Sequence, residues 1–267
     1  MQFEALTAND LSEIGDLQPA DWPDITPELT YYIDTPFCHP IKTKIDGKIA
    51  GIGTAIVFEN TAWLAHIIVA PDFRRQGIAY HLVLELLKNL SRDAVETCLL
   101  TATKIGQPVY EKAGFRTVGE YVFWDREKPW KGVPDSPNLM PFKEIYRSRI
   151  YELDKKASGE NRQTLIAEYL RNSIVYLENS TVLGCYLPDL RNGLIVADSI
   201  QAGLALMNIK HATEDKVAIP SANVAGLAFL KEHGFAETGL TAPRMVLGKD
   251  IAWKPEMIFG RIGGNFG

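Results

Sequence analysis

The alternation of apolar and polar positions is clearest between Lys48 and Leu90. Ile49 to Phe58 is rich in Ile, Val, Thr and Gly, and Ala62 to Val69 is a nearly continuous apolar run, with Glu59-Asn60-Thr61 between them. Apolar runs of this length, bounded by turn residues, predict a β-hairpin whose sheet is covered on both faces. Pro71-Asp72 ends it, and the period then changes. Ile78, Leu82, Leu86 and Leu90 recur every fourth residue beside Ala79, Val83 and Leu87, while Tyr80, His81, Glu85 and Lys88 take the other side. That spacing predicts an amphipathic helix over residues 77–90. A strand over residues 97–102, a short helix over 108–112 stopped by Gly114, and a strand over 115–124 follow. Strands alternating with helices predict a mixed α/β fold.

Glu127 to Pro141 breaks the pattern with four prolines among Lys, Asp and Asn, and reads as a linker. The pattern then restarts: helix over 165–170, hairpin over 174–186, helix over 197–209, strand over 216–220, helix over 224–233 and a last strand pair. The halves repeat at a constant offset. Thr103, Gly106, Tyr110, Gly114, Phe115 and Gly119 correspond to Asn223, Gly226, Leu230, Gly234, Phe235 and Gly239, 120 residues further on. Such self-similarity predicts two related units, residues 1–128 and 149–267, joined by a linker at 129–148.

Composition narrows the functional classes. The chain is 46% apolar and 23% charged, with a net charge of -5, which suits a globular protein with a proper core. No basic patch stands out, which argues against nucleic acid as a partner. Residues 1–15 lack the basic start and apolar core of a signal peptide. No run has the length of a membrane span. A cytoplasmic protein with no membrane partner is expected. Cys38, Cys98 and Cys185 are far apart; buried free thiols and no metal site are expected.

The segment best suited to a charged ligand runs from Val69 through Pro71, Arg74, Arg75, Gln76, Gly77 and Ile78 to Ala79. Amides at a helix start lack acceptors within the helix and carry the positive end of its dipole, so a phosphate can sit there. Gly77 and Ala79 keep bulk away from the backbone, and Arg74 and Arg75 add charge. On spacing alone, a plain strand-to-helix turn with solvated arginines is the alternative.

Arg74-x-x-Gly77-x-Ala79, preceded by Val69-x-Pro71, resembles the acetyl-CoA signature of the GCN5-related N-acetyltransferase (GNAT) superfamily. Thr103 to Phe115 is similar to the family segment that ends in Leu-Tyr-x-x-x-Gly-Phe. The resemblance covers about residues 50 to 122, and the family's first helices are expected within 8–45. It implies an α/β (α+β, mixed-sheet) architecture of tandem acyl-CoA N-acyltransferase folds, with acetyl-CoA as co-substrate. By this resemblance Ile68 and Val69 pair with the pantetheine arm, and Arg74, Arg75, Gln76, Gly77, Ile78 and Ala79 cradle the pyrophosphate. Thr103 and Gly106 join the cofactor contacts, Thr103 standing where many members have Asn. Tyr110 falls where the family often has a tyrosine that protonates the departing thiolate, a task that suits a phenol.

Family bases often lie on the strand over residues 62–69, at places that correspond to Trp63 and Ala65, and neither can titrate. His66 can, but strand alternation turns it to the opposite face, so a packed, hydrogen-bonded histidine is expected. Glu120 and Asp125 are further carboxylates near a substrate cleft. In the second half, Leu194, Ala197 and Ser199 replace the phosphate-loop residues and Leu230 replaces Tyr110. This half resembles the C-terminal acetyltransferase-like domain of some bacterial members. The missing signature argues against an acetyl-CoA site of its own. The resemblance implies a role in shaping the acceptor pocket, with a stabilising partner domain as the alternative. Tyr31, Tyr32, Trp124, Trp130 and Trp253 are candidates to line such a pocket, core packing being the alternative for each. The implied activity is transfer of acetyl to a primary amine of a small metabolite, by direct attack in a ternary complex. No cysteine or serine sits in a nucleophile arrangement. A homodimer is compatible with the resemblance, and a non-catalytic acyl-CoA sensor is the alternative.

Overall fold

A computed structural model describes residues 1–20, 22–90, 95–127 and 136–267. Contacts group them into two units that interleave along the chain: Met1–Arg116 with Met245–Lys249 and Gly264–Phe266, and Thr117–Arg244 with Asp250–Gly263 and Gly267.

The first unit contains β1 (Phe3–Ala5), α1 (Thr26–Asp34), β2 (Cys38–Ile45), β3 (Lys48–Phe58), β4 (Thr61–Val69), α2 (Ile78–Leu90), β5 (Thr97–Thr101) and α3 (Gln107–Lys112). Strands β1 to β5 lie in sequence order, and the unit's residues 245–248 extend the sheet beside β5. The hairpin β3–β4 and helix α2 fall where the periodicity places them. Ala50, Ala62, Leu64, Leu82, Leu86 and Leu100 build the core between α2 and the sheet. Two glycines let α2 come this close. A Cβ at Gly51 would stand 3.0 Å from Leu82 Cδ1, and one at Gly53 would stand 3.2 Å from Leu86 Cδ1.

The second unit contains β6 (Arg116–Asp125), β7 (Leu139–Pro141), α4 (Arg147–Ser158), α5 (Gln163–Ala167), β8 (Ile174–Glu178), β9 (Thr181–Leu187), β10 (Leu194–Ala197), α6 (Ile200–Lys210), β11 (Lys216–Pro220), α7 (Val224–Glu232), β12 (Ala236–Gly248) and β13 (Ile258–Gly260). The last residues of β12 are those counted with the first unit. One sheet has the order β13-β10-β9-β8-β7, and β12, β6 and β11 lie side by side in the other.

The 120-residue repeat is visible in local geometry. Thr103 Oγ1 accepts from the Gly106 amide at 3.1 Å, and Asn223 Oδ1 accepts from the Gly226 amide at 2.8 Å. Phe115 N donates to Tyr110 O, and Phe235 N to Leu230 O, both at 3.0 Å. Gly114 (φ 97) and Gly234 (φ 79) take the left-handed conformation that ends each short helix.

Residues 8–45 hold two 3-10 turns, the helix α1 and the strand β2. Two expectations differ from the structure. The linker expected at 129–148 is folded from Leu139 on, because β7 pairs with β8 and α4 buries Ile150, Leu153 and Ala157 on one face. The rest of it, with Trp130, lies mostly outside the described residues. The helix expected from 197 begins at Ile200, since Leu194–Ala197 pairs as a strand and Ser199 caps the helix. Cys38, Cys98 and Cys185 are buried. Among the described residues, no helix is long and apolar enough to cross a membrane.

The turn after β12 gives a test of the fold. Gly248 has φ 98, and a Cβ there would lie 2.2 Å from the Glu96 carbonyl oxygen. Gly248→Ala should destabilise the chain by roughly 2–4 kcal/mol in urea unfolding, combining a left-handed alanine with overpacking against backbone. Gly15→Ala, with nothing within 4 Å, should stay within about 0.5 kcal/mol. Equal midpoints for the two variants would show that the Glu96–Gly248 contact is not rigid.

Candidate functional site

Strand β4 is paired asymmetrically. Its parallel register with β5 covers Thr61, Ala62 and Trp63, whereas its antiparallel register with β3 continues to Val69. The β5-facing edge of Leu64–Val69 therefore has no strand neighbour among the described residues. A strand edge without a partner is a template for an extended ligand that carries amides. Ile68 and Val69 lie on this edge.

A bulge sits in the same stretch. The β3–β4 register shifts between Ile52 and Thr54, and His66 takes φ 47. A bulge adds a residue and breaks the alternation of side chains. Ala62, Leu64, Ile67 and Val69 pack towards α2, so the count skips His66. A Cβ at Gly53, opposite the bulge, would be 2.7 Å from Ile67 Cδ1. The expectation from simple alternation is thus corrected: His66 leaves the α2 side and meets α1. Its Nδ1 lies 3.0 Å from Tyr32 Oη, and Tyr32 Oη accepts from Asn265 Nδ2 at 2.7 Å. Asn265 Nδ2 also lies 3.2 Å from Glu28 Oε2. The histidine is hydrogen-bonded, as the sequence suggested, but on the side shared with Trp63 and Ala65. Glu120 and Asp125 belong to the second unit.

The loop between β4 and α2 brings Arg74, Arg75, Gln76, Gly77, Ile78 and Ala79 together. A 3-10 turn over Pro71–Phe73 leads into Arg74, and Arg75 (φ 62) and Gly77 (φ 81) both take left-handed backbone. Arg74 Nε donates to Val69 O at 3.1 Å, which fixes the arginine against the end of β4. Among the described residues, no backbone acceptor meets the amides from Arg75 to Ala79. Arg74, Arg75, Gln76 and Gly77 are exposed. The 13-residue helix α2 adds its dipole at this point. Exposed free amides, two guanidinium groups and a helix N-terminus form a concavity suited to an anion such as a diphosphate.

Thr103 and Gly106 open α3, with the Thr103 hydroxyl already accepting from the Gly106 amide. Tyr110, on α3, is half-buried and packs edge-on against Phe115 at 6.1 Å. Burial pushes its phenol up to about 12.

The second unit has the same parts with both binding features closed. By the 120-residue offset β9 is the counterpart of β4, and its residues Gly184–Leu187 pair with Leu194–Ala197 of β10. The chain itself fills the edge that is open in the first unit. Ser199 Oγ accepts from the Ala202 amide at 3.2 Å, so the start of α6 is capped where that of α2 is not.

Residues 16–125 match a family model described as an acetyltransferase (GNAT) domain. The whole chain is similar in fold to a proposed acetyltransferase from Pyrococcus horikoshii. The identity is 19% over 100% of this chain and 95% of that one, with a TM-score of 0.82. A GCN5-related N-acetyltransferase from Sphaerobacter thermophilus is 16% identical over 95% of this chain and 98% of its own (TM-score 0.65). A tandem GNAT protein from the clavulanic acid biosynthesis pathway is 15% identical over 92% and 98% (TM-score 0.63). No curated protein matches the sequence.

The state of Tyr110 can be measured. Since burial disfavours the phenolate, its folded-state pKa lies above that of an exposed tyrosine, near 10. The ultraviolet difference titration of the parent against Tyr110→Phe should stay flat until the pH approaches about 12. A phenolate signal near 10 would mean that Tyr110 is solvated.

Proposed function

We propose, from the match of residues 16–125 to an acetyltransferase (GNAT) domain, that the protein moves an acetyl group from acetyl-CoA to a primary amine of a small metabolite. The observation that carries the reading is the pairing of an open β4 edge with an uncapped α2 N-terminus. They lie next to each other, and they suit the two unlike parts of a CoA thioester, an amide-bearing arm and a diphosphate.

Acetyl-CoA supplies an activated acyl group and a thiolate leaving group. The amides of Arg75–Ala79 and the α2 dipole hold the diphosphate, with charge from Arg74 and Arg75. The arm then runs along β4 from Val69 towards Leu64. Six residues at about 3.3 Å each provide roughly 20 Å of edge, which brings the thioester to the closed end, beside the bulge. Tyr110 donates a hydrogen bond to the departing sulfur. Burial raises the phenol's pKa, which keeps it protonated and able to donate this hydrogen bond to developing charge. The amine must lose a proton to attack, and His66 is the titratable side chain that the bulge turns to the face of Trp63 and Ala65. Tyr32 and Asn265 hold its imidazole, and the attack is direct, with both substrates bound.

The second unit, with its edge filled by β10 and its helix capped by Ser199, has the scaffold without the donors. It is read as binding no acetyl-CoA. A sensor that binds acyl-CoA without turnover is the second reading, motivated by Trp63 and Ala65 at places where relatives have bases.

Calorimetric titration with acetyl-CoA should give one site per chain, abolished when Arg74 and Gly77 are both changed to Glu. Two sites would contradict the reading of the second unit, and none would sink the proposal. In steady-state kinetics with an accepted amine, Tyr110→Phe should lower kcat by about a hundredfold and leave acetyl-CoA binding within a few-fold. His66→Gln should lower kcat/KM by about 10²–10⁴. Absence of turnover with every amine, with cofactor binding intact, would favour the sensor.

A further inference from the structure

Two basic side chains stand beside the amide row of the β4–α2 loop and are not among the groups assigned to the diphosphate. His81 lies in the first turn of α2, and Lys112 closes α3. Both are exposed. Among the described residues, neither is in an ion pair.

The His81 ring is fixed in orientation. The Gly77 carbonyl accepts from the His81 amide at 3.1 Å and lies 3.2 Å from His81 Nδ1. A carbonyl only accepts, so Nδ1 is the donor and carries a proton. That leaves Nε2, on the far side of the ring, as the nitrogen that faces a ligand. A ring that also carries a proton on Nε2 donates there to a phosphate oxygen.

Lys112 reaches α2 from α3. Its Nζ lies over the Tyr80 ring, 4.4 Å from the centroid, and the Tyr80 and His81 rings meet edge to face at 5.9 Å. The neighbouring carboxylate, Glu111, accepts instead from Gln107 Nε2 at 2.8 Å. An aromatic face orients an ammonium by its quadrupole and leaves N–H donors for a stronger acceptor. Tyr80 thus places a lysine from the end of one helix at the first turn of another, beside His81.

This pair lies one helical turn, about 5.4 Å, along α2 from Gly77. A CoA thioester carries a second anion besides its diphosphate. This is the ribose 3′-phosphate, one sugar away on the same nucleotide. Two anions a short step apart match an amide row and a basic pair a short step apart. A compact monophosphate also suits an ammonium, a point charge that needs no planar partner.

Resting on the acetyl-CoA reading, we propose that Lys112 and His81 form a subsite for the ribose 3′-phosphate, with Tyr80 setting the lysine in place, so that the protein selects CoA over the form that lacks this phosphate.

Calorimetric titration of the full chain with CoA and with 3′-dephospho-CoA tests it. CoA should bind about tenfold tighter, the effect expected of a charge-assisted hydrogen bond, and the ratio should shrink as salt is raised. Lys112→Met keeps an unbranched chain over Tyr80 without the charge. It should bring the ratio below about threefold by weakening CoA and not the dephospho form. Lys112→Arg should keep most of the ratio. His81→Leu should lower it while leaving dephospho-CoA binding within about twofold. Equal affinity for the two forms in the parent, or a ratio that survives in both Lys112→Met and His81→Leu, overturns the proposal and spares the acetyl-CoA reading. Absence of binding by either form overturns both.

Discussion

Parallel strands β4 and β5 separate after three paired residues, and the rest of the first unit is arranged around that separation. Backbone donors and acceptors removed from water need partners, and beyond Trp63 the β5-facing edge of β4 has none from a strand. On its other side β4 stays paired with β3 to Val69 across the bulge, so the edge is held from one side while the other is left open. Helix α2 fastens the assembly from one face, and Gly51 and Gly53 bring it close enough that Leu82 and Leu86 touch the sheet. The loop joining β4 to α2 must then turn sharply, which puts Arg75 and Gly77 into left-handed backbone and leaves a row of amides aimed outward.

The second unit acts as an internal comparison. It repeats the helix caps and the glycine stops at a constant offset, yet it closes both openings with its own atoms. Strand β10 occupies the edge of β9, and Ser199 takes an amide at the start of α6. Both changes satisfy backbone groups internally and make the unit more self-contained.

The hairpin, α2 and the α3 segment were legible in the sequence because each is governed by a local rule. Those rules are a continuous apolar run, a four-residue period and a glycine stop. The placement of Arg74 and Gly77 at the turn before α2 and of Tyr110 on α3 was legible from those elements, whereas their roles came from the family resemblance alone. The bulge at His66 was not. Alternation is the default for a strand, and the extra residue is accommodated by a glycine on the neighbouring strand and by the packing of Ile67, which no single-strand pattern contains. The bond between Tyr32 and Asn265 spans 233 residues, beyond any spacing argument. β10 was missed, and its last residue, Ala197, was given to the following helix, because its apolar residues run straight into α6 and only pairing with β9 separates them. α4 was hidden behind prolines, although Ile150, Leu153 and Ala157 carry a helical period.

Amide hydrogen exchange, followed with and without saturating acetyl-CoA, tests the open edge most directly. The account predicts slowed exchange over Leu64–Val69 and Arg75–Ala79 together, with Leu194–Ser199 in the second unit unchanged. Protection over Leu194–Ser199, or a loop that responds while the β4 amides do not, would contradict it.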